Sequence, residues 1–308
     1  MSNQAKKPIK IVVVGDVHEQ WETEDEIALD YLGADLVLFV GDFGNESVNL
    51  VAKIARINLP KAVILGNHDA WYSASDWGRK KSPYDHSIED RVQQQLDLLG
   101  SNHVGYAKID FPELNLTVVG SRPFSWGGPT WKNDEFYRDR YHVNNFREST
   151  QRIVTTAQQT PRDNLIILAH NGPFGLGDTP EAACGRDWNP LGGDFGDPDL
   201  TEAIEQINAS SKRILLVAFG HMHHQLRHTK SVLRQAINKS PEGTLYFNAA
   251  SVPRIKITSE GKLRNFSIVY LENSQVTKIS LIWLGENYDQ VSEQIFYSVE
   301  ESSLLRNG

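Results

Sequence analysis

Val12-Val13-Val14-Gly15-Asp16-Val17-His18 is the stretch from which the fold can be read. An apolar run stops at a glycine, and a carboxylate and an imidazole follow at once. The same succession recurs further along. Leu38-Phe39-Val40 leads into Gly41-Asp42, and Val63-Ile64-Leu65 into Gly66-Asn67-His68-Asp69. Ile166-Ile167-Leu168-Ala169 leads into His170-Asn171-Gly172-Pro173, and Val217-Ala218-Phe219 into Gly220-His221-Met222-His223. The runs are continuous rather than alternating, which marks strands buried on both faces. Ligands of open α/β sheets collect outside the carboxyl ends of strands, so these loops are expected to converge although they lie far apart in sequence. Glycine precedes the acid, amide or imidazole in all but one of them, letting the backbone turn tightly and approach a ligand.

Working outward, Leu116–Val119, Leu245–Phe247, Phe266–Leu271 and Ile279–Leu284 read as further strands. Ile88, Val92, Leu96 and Leu99 share one helical face, with Gly100 as the stop. Leu200, Ile204 and Ile207 share another, opened by Asp197 as N-cap and Pro198 in the first turn. Strands alternate with helices early and dominate late, which predicts an α/β fold, a layered sandwich with mixed sheets. Residues 121–141 and 171–199 show no periodicity and read as long functional loops. There is no Pro/Ser linker and no repeat, so residues 1–285 read as one catalytic domain. Residues 286–308 read as a docking helix, from Val291, Ile295 and Val299 at every fourth position, or as a tail.

The chain has 308 residues, 40% hydrophobic and 23% charged, as in soluble globular proteins. Its net charge of −8 is the wrong sign for affinity gained by neutralising duplex phosphates, so duplex nucleic acid is not the expected partner. Cys184 is the only cysteine and cannot form an internal disulfide. The first residues are polar and no apolar run approaches membrane-spanning length. These features favour a cytoplasmic location, or the plastid stroma if a transit peptide has been removed.

Taken together, the strand-end motifs resemble the calcineurin-like metallophosphoesterase superfamily in order and spacing. The segment around His170-Asn171-Gly172-Pro173 and Gly175-Leu176-Gly177-Asp178 looks like a less characterised subgroup of cyanobacterial or plastid type. The resemblance implies an α/β/β/α sandwich, two mixed β-sheets flanked by helices, with a dinuclear metal site at the strand ends. Carried over residue by residue, it implies that Asp16, His18 and His223 hold one metal and that Asn67, His170 and His221 hold the other. Asp42 would bridge the two. Oxygen and imidazole donors without thiolate suit Mn, Fe or Zn. Two adjacent cations can polarise a phosphoryl group, acidify a bridging water to hydroxide and stabilise an in-line transition state. His68 would then be no ligand but an acid or electrostatic aid to the leaving group, with Asp69 orienting it and raising its pKa. The alternative for Asp69 is a capping role.

The implied activity is hydrolysis of a small or medium phosphate mono- or diester. The competing readings are a nuclease or nucleotide phosphodiesterase, and an inactive scaffold of the same fold, which the intact ligand set disfavours. Gly-Asp-Val-His-Glu-Gln-Trp opens like the Ser/Thr protein phosphatases, but Gly41-Asp42-Phe43-Gly44-Asn45-Glu46 lacks their Asp-Arg-Gly ending. A phosphate-clamping arginine is therefore missing there. Arg122, Arg138, Arg140 and Arg186, in the two irregular segments, are candidates to replace it, Arg122 and Arg186 foremost. Trp21 and Trp71, just beyond His18 and Asp69, are candidates to stack an aromatic group of the substrate. His224 reads as a supporting residue rather than a further ligand, and the aspartates of 178–199 as turn and cap residues.

Overall fold

The computed structural model describes residues 7–259 and 261–299. The first sheet is built from β1 (Ile9–Val14), β2 (Leu36–Phe39), β3 (Lys61–Val63), β10 (Ile255–Thr258), β11 (Gly261–Glu272), β12 (Gln275–Leu284) and β13 (Gln290–Ser298). Its order is β13-β12-β11-β1-β2-β3, with β10 paired to β11. The second contains β4 (Lys108–Phe111), β5 (Leu116–Gly120), β6 (Asn164–Leu168), β7 (Arg213–Phe219), β8 (Ile237–Lys239) and β9 (Leu245–Asn248), in the order β4-β5-β6-β7-β9-β8. Both are mixed: β1, β2 and β3 run parallel and β11 antiparallel to β1, while β5, β6, β7 and β9 run parallel with antiparallel edges.

Helices cover the outer faces: α1 (Thr23–Leu32), α2 (Val48–Arg56), α3 (Asp76–Arg79), α4 (Arg91–Leu99), α5 (Asp134–Tyr141), α6 (Phe146–Gln158) and α7 (Pro198–Asn208). The layering follows from the period of the strand. In β1, Ile11 and Val13 pack between the two sheets with Leu36, Leu38, Ile166, Leu216 and Phe247, whereas Val12 and Val14 pack outward with Leu29, Val51 and Ile54. A third layer joins Leu165 and Ile167 to Ile153, Ala203 and Ile207 of α6 and α7. Every second side chain of a central strand thus feeds a different layer, which is why both parities must be apolar. This is the α/β/β/α sandwich.

Three sequence expectations change. Gln290–Ser298 is a strand on the edge of the first sheet, not a docking helix or tail. Its β-branched and aromatic residues pair along β12, and Val291 and Ile295 stay exposed rather than forming a packed helical face. The remainder of that segment, 300–308, lies outside the described residues. Ile88 precedes α4 and is 81% exposed, because Asp90 caps the helix by accepting from Gln93 N–H. Asp197 stands at the N-cap position of α7, but its carboxylate serves Arg122 and Ser125 instead. Among the described residues no helix is long and apolar enough to cross a membrane.

Candidate metal centre

The parallel strands β1, β2 and β3 and, in the other sheet, β6 and β7 end at the same edge of the sandwich, and their loops clasp one another. The Asp42 carbonyl accepts from Val17 N–H at 3.1 Å and His18 N–H at 2.8 Å. Gly220 N–H donates to the His170 carbonyl at 2.8 Å. His18, Asp42 and His221 take positive φ angles of 44°, 53° and 68°. Such left-handed backbone costs a non-glycine residue roughly 1–3 kcal/mol, and it is tolerated where the surroundings fix a functional side chain.

Those side chains converge. Donor atoms of Asp16, His18 and His223 lie within 4.8 Å of one another, as do those of Asp42, His170 and His221, and those of His18, Asp42 and His68. His223 Nε2 is 3.3 Å from Asp16 Oδ2, and the Nε2 atoms of His18 and His223 face each other at 3.0 Å. Asp42 spans the halves: Oδ2 is 4.0 Å from His18 Nε2 and Oδ1 is 3.3 Å from His170 Nε2. Asn67 Oδ1 lies 2.9 Å from His170 Nε2. His170 donates from Nδ1 to the Val40 carbonyl at 2.7 Å, an acceptor with no hydrogen to give, so its Nε2 lone pair points into the cluster. Two motif glycines are required by space. A Cβ on Gly66 would lie 2.3 Å from Asp42 Oδ1, and one on Gly220 would lie 2.1 Å from Asp16 Oδ1. The room that glycine leaves is taken by these carboxylates.

Charge points the same way. Asp16 and Asp42 are buried, and among the described residues neither pairs with a Lys or Arg. Burial and the Asp16 charge push the Asp42 carboxyl well above its ordinary pKa. Burial opposes ionisation of Asp16 too, but the imidazoles of His223, His170 and His18 hold its pKa below the usual range. His18 and His221 are lowered by burial, whereas His223, which burial would also lower, is raised by its bond to Asp16. Paired buried carboxylates beside inward-facing imidazole nitrogens, with no thiolate, are a donor set that fits divalent cations.

His68 stands at the rim, its ring edge-on to His18 with centroids 5.0 Å apart. The expected Asp69 partnership is absent. Asp69 is fully buried, and its carboxylate accepts from the N–H groups of Asp42 (2.9 Å), Phe43 (2.9 Å) and Gly66 (2.7 Å), a capping and loop-tying role. His68 Nδ1 bonds instead to Asn45 Oδ1 at 2.6 Å, and burial and neighbouring imidazoles lower its pKa to about 4 rather than raising it. Adjacent residues on the single 3₁₀ turn Asn67–Ala70 point in different directions. Asn45 was missed, although it lies in the very block that departs from Asp-Arg-Gly.

The substrate candidates fare differently. Arg122 is buried and held by Asp197 and Asp199 at 2.8 Å each, tying the two long loops together. Trp21 is core, packed on Phe39 and Phe266. Trp71 is beside the site, but both its faces are taken, by His68 (centroids 4.5 Å apart) and by Trp126 (5.1 Å), so it braces His68 rather than offering a free platform. Arg186 donates to the Gly192 carbonyl at 2.8 Å and lies over Phe195, contacts within its own loop. Arg138 and Arg140 pair with Asp139 and Asp90. His224 is buried with Nε2 on the Asn248 carbonyl, a supporting position. Asp187 and Asp194 also find partners, in Arg234 and in the N–H groups of Gly175 and Gly196.

Residues 9–225 match the family of calcineurin-like phosphoesterases. No curated protein matches the sequence. One crystal structure shares the fold over 93% of this chain and 100% of its own length, with a TM-score of 0.52 and 14% identity. A dimetal phosphatase from Danio rerio aligns over 94% of this chain and 99% of its own, with a TM-score of 0.48 and 11% identity. A metallophosphoesterase from Sphaerobacter thermophilus aligns over 98% and 94%, with a TM-score of 0.36 and 13% identity. The first likeness is one of fold, and the other two are too distant to carry an argument.

Proposed function

The chain belongs to the calcineurin-like phosphoesterase family, and from that premise we propose that it hydrolyses a small or medium phosphate mono- or diester at a dinuclear centre. Asp16, His18 and His223 would hold one cation and Asn67, His170 and His221 the other, with Asp42 shared. The observation that carries this is the shared position of Asp42, whose two oxygens face the two imidazole groups separately. Mn, Fe and Zn all suit the donors. When bound, the two cations supply Lewis acidity toward a phosphoryl oxygen and toward the attacking water.

The chain's own residues do the rest. The His68 N–H donates to Asp42 Oδ1 at 2.9 Å, so the loop that carries His68 also orients the shared carboxylate. With Nδ1 engaged by Asn45 and one face on Trp71, His68 keeps Nε2 for the substrate. Nε2 can donate only when the ring carries a second proton, so the bound phosphate's negative charge must raise the pKa from its resting value of about 4. In that protonated state His68 is proposed to give the proton to the leaving oxygen or to stabilise charge on the phosphoryl group. Glu46 steadies the following turn, accepting from the N–H groups of Tyr72 (2.8 Å) and Ser73 (2.7 Å) and from the Tyr84 hydroxyl.

The test is a panel of aryl phosphate mono- and diesters with Mn²⁺-loaded protein, alongside metal analysis. Asp42→Asn is expected to abolish turnover and to lower metal content. His68→Ala is expected to keep its metal and slow turnover by roughly 10²–10⁴-fold, the usual worth of a positioned proton-transfer group. Full activity in both variants would rule the assignment out.

A further inference from the structure

Resting on the phosphoesterase reading above, we propose that Arg227 grips the terminal phosphate of a phosphate monoester at this centre. The second motif supplies no arginine, and the arginines of the long loops are committed elsewhere. Arg227 combines three features that none of them has together. It lies four residues beyond His223, is exposed, and has no carboxylate at ion-pairing distance among the described residues.

Its position is set by the chain between. Burial alternates along this segment: Met222, His224 and Leu226 are buried, whereas His223, Gln225 and Arg227 are the open ones. The Arg227 N–H donates to Asp187 at 2.9 Å, Asp187 pairs with Arg234 at 3.3 Å, and Arg234 Nε donates to the His223 carbonyl at 3.0 Å. One network therefore ties the backbone of the cation to the backbone of a proposed metal ligand. The guanidinium itself lies over the ring of Trp188, 5.4 Å from its centroid. That contact orders a long side chain while leaving its N–H edge free for an anion.

A monoester presents a dianionic phosphate, which a planar guanidinium can hold through two parallel hydrogen bonds. A diester offers a single negative charge and a second ester arm. An unpaired, pre-ordered guanidinium on the segment that carries a proposed metal ligand therefore favours monoesters.

The experiment compares Mn²⁺-loaded wild type with R227Q, R227K and R186Q. It reads inorganic phosphate binding by calorimetry, metal content, and steady-state kinetics on an aryl phosphate monoester and diester. R227Q is expected to weaken phosphate binding roughly tenfold or more, the scale of a charge-assisted hydrogen bond. It should raise KM for the monoester by a similar factor, with a smaller fall in kcat, and lose more on the monoester than on the diester. R227K should recover part of the loss, and R186Q should track wild type. Wild-type phosphate affinity in R227Q, equal losses on both esters, or a loss in R186Q as large as that in R227Q would each overturn the inference. A wild type that cleaves only diesters would overturn it too while leaving the phosphoesterase reading intact. A wild type that binds no metal and cleaves neither ester would remove both.

Discussion

Removing the Asp69 carboxylate should unfasten two metal loops at once. Its Oδ2 accepts from Asp42 N–H and Gly66 N–H, and its Oδ1 from Phe43 N–H, all in a fully buried setting. In Asp69→Ala three buried donors lose their acceptor, at about 1–3 kcal/mol each. With partial relaxation the expected destabilisation is roughly 3–6 kcal/mol, much of a typical domain's stability. Asp69→Asn keeps one oxygen and turns an NH₂ toward a backbone donor, so roughly half that loss is expected. The same bonds hold Asp42 at its φ of 53°, so metal affinity should fall as well, on the order of 10–100-fold as for other residues that orient a ligand. Urea unfolding of the metal-free protein, metal content after dialysis and the pH–rate profile together read these effects. If Asp69→Asn left stability and metal content untouched and altered only the pH–rate profile, the carboxylate would be acting on His68, and the loop-tying argument would be wrong.

Two further outcomes follow from groups away from the metals. Arg122→Leu leaves Asp197 and Asp199 buried without their counter-charge, and should cost about 3–5 kcal/mol in urea unfolding; an unchanged midpoint would show the pair to be dispensable. His103, whose Nε2 is buried without a partner, has its pKa lowered by burial from 6.5 to about 4. The fold thus favours the neutral ring. The stability this gives is present above pH 6.5 and lost as pH falls toward 4, by up to about 3 kcal/mol. His103→Gln should lose less on going from pH 7.5 to 5, and an identical loss in both proteins would refute the account.

Central strands were legible because burial on both faces writes them as unbroken apolar runs, as in Val12-Val13-Val14. The edge strand β13 was not: it is exposed along most of its length, so its spacing of Val291 and Ile295 imitates a helix, whereas the edge strand β3 is buried and reads as plainly as its neighbours. The residues proposed as ligands could be read because each sits where a strand stops. Their supports could not. Arg122 looks like any loop arginine until Asp197 and Asp199 are placed beside it, and Trp21 lies close to His18 in sequence yet points into the core. Sequence adjacency made Asp69 the natural partner of His68, but side-chain direction gave that place to Asn45. Arg227 carries no motif at all; the stack on Trp188 and the Asp187–Arg234 network that single it out appear only in the fold.

The pairing of β1 with β11 sets Val13 against Ser267, so β1 finds one of its two neighbours only after every element between them has been synthesised. Until then the segment carrying Asp16 and His18 lies at an open sheet edge, whatever its other partners have done. Native contacts this remote in sequence slow folding and prolong the exposure of sticky surface. Nascent chains halted before residue 272 should therefore stay protease-sensitive around β1, and production in cells should gain from slower synthesis or added chaperones.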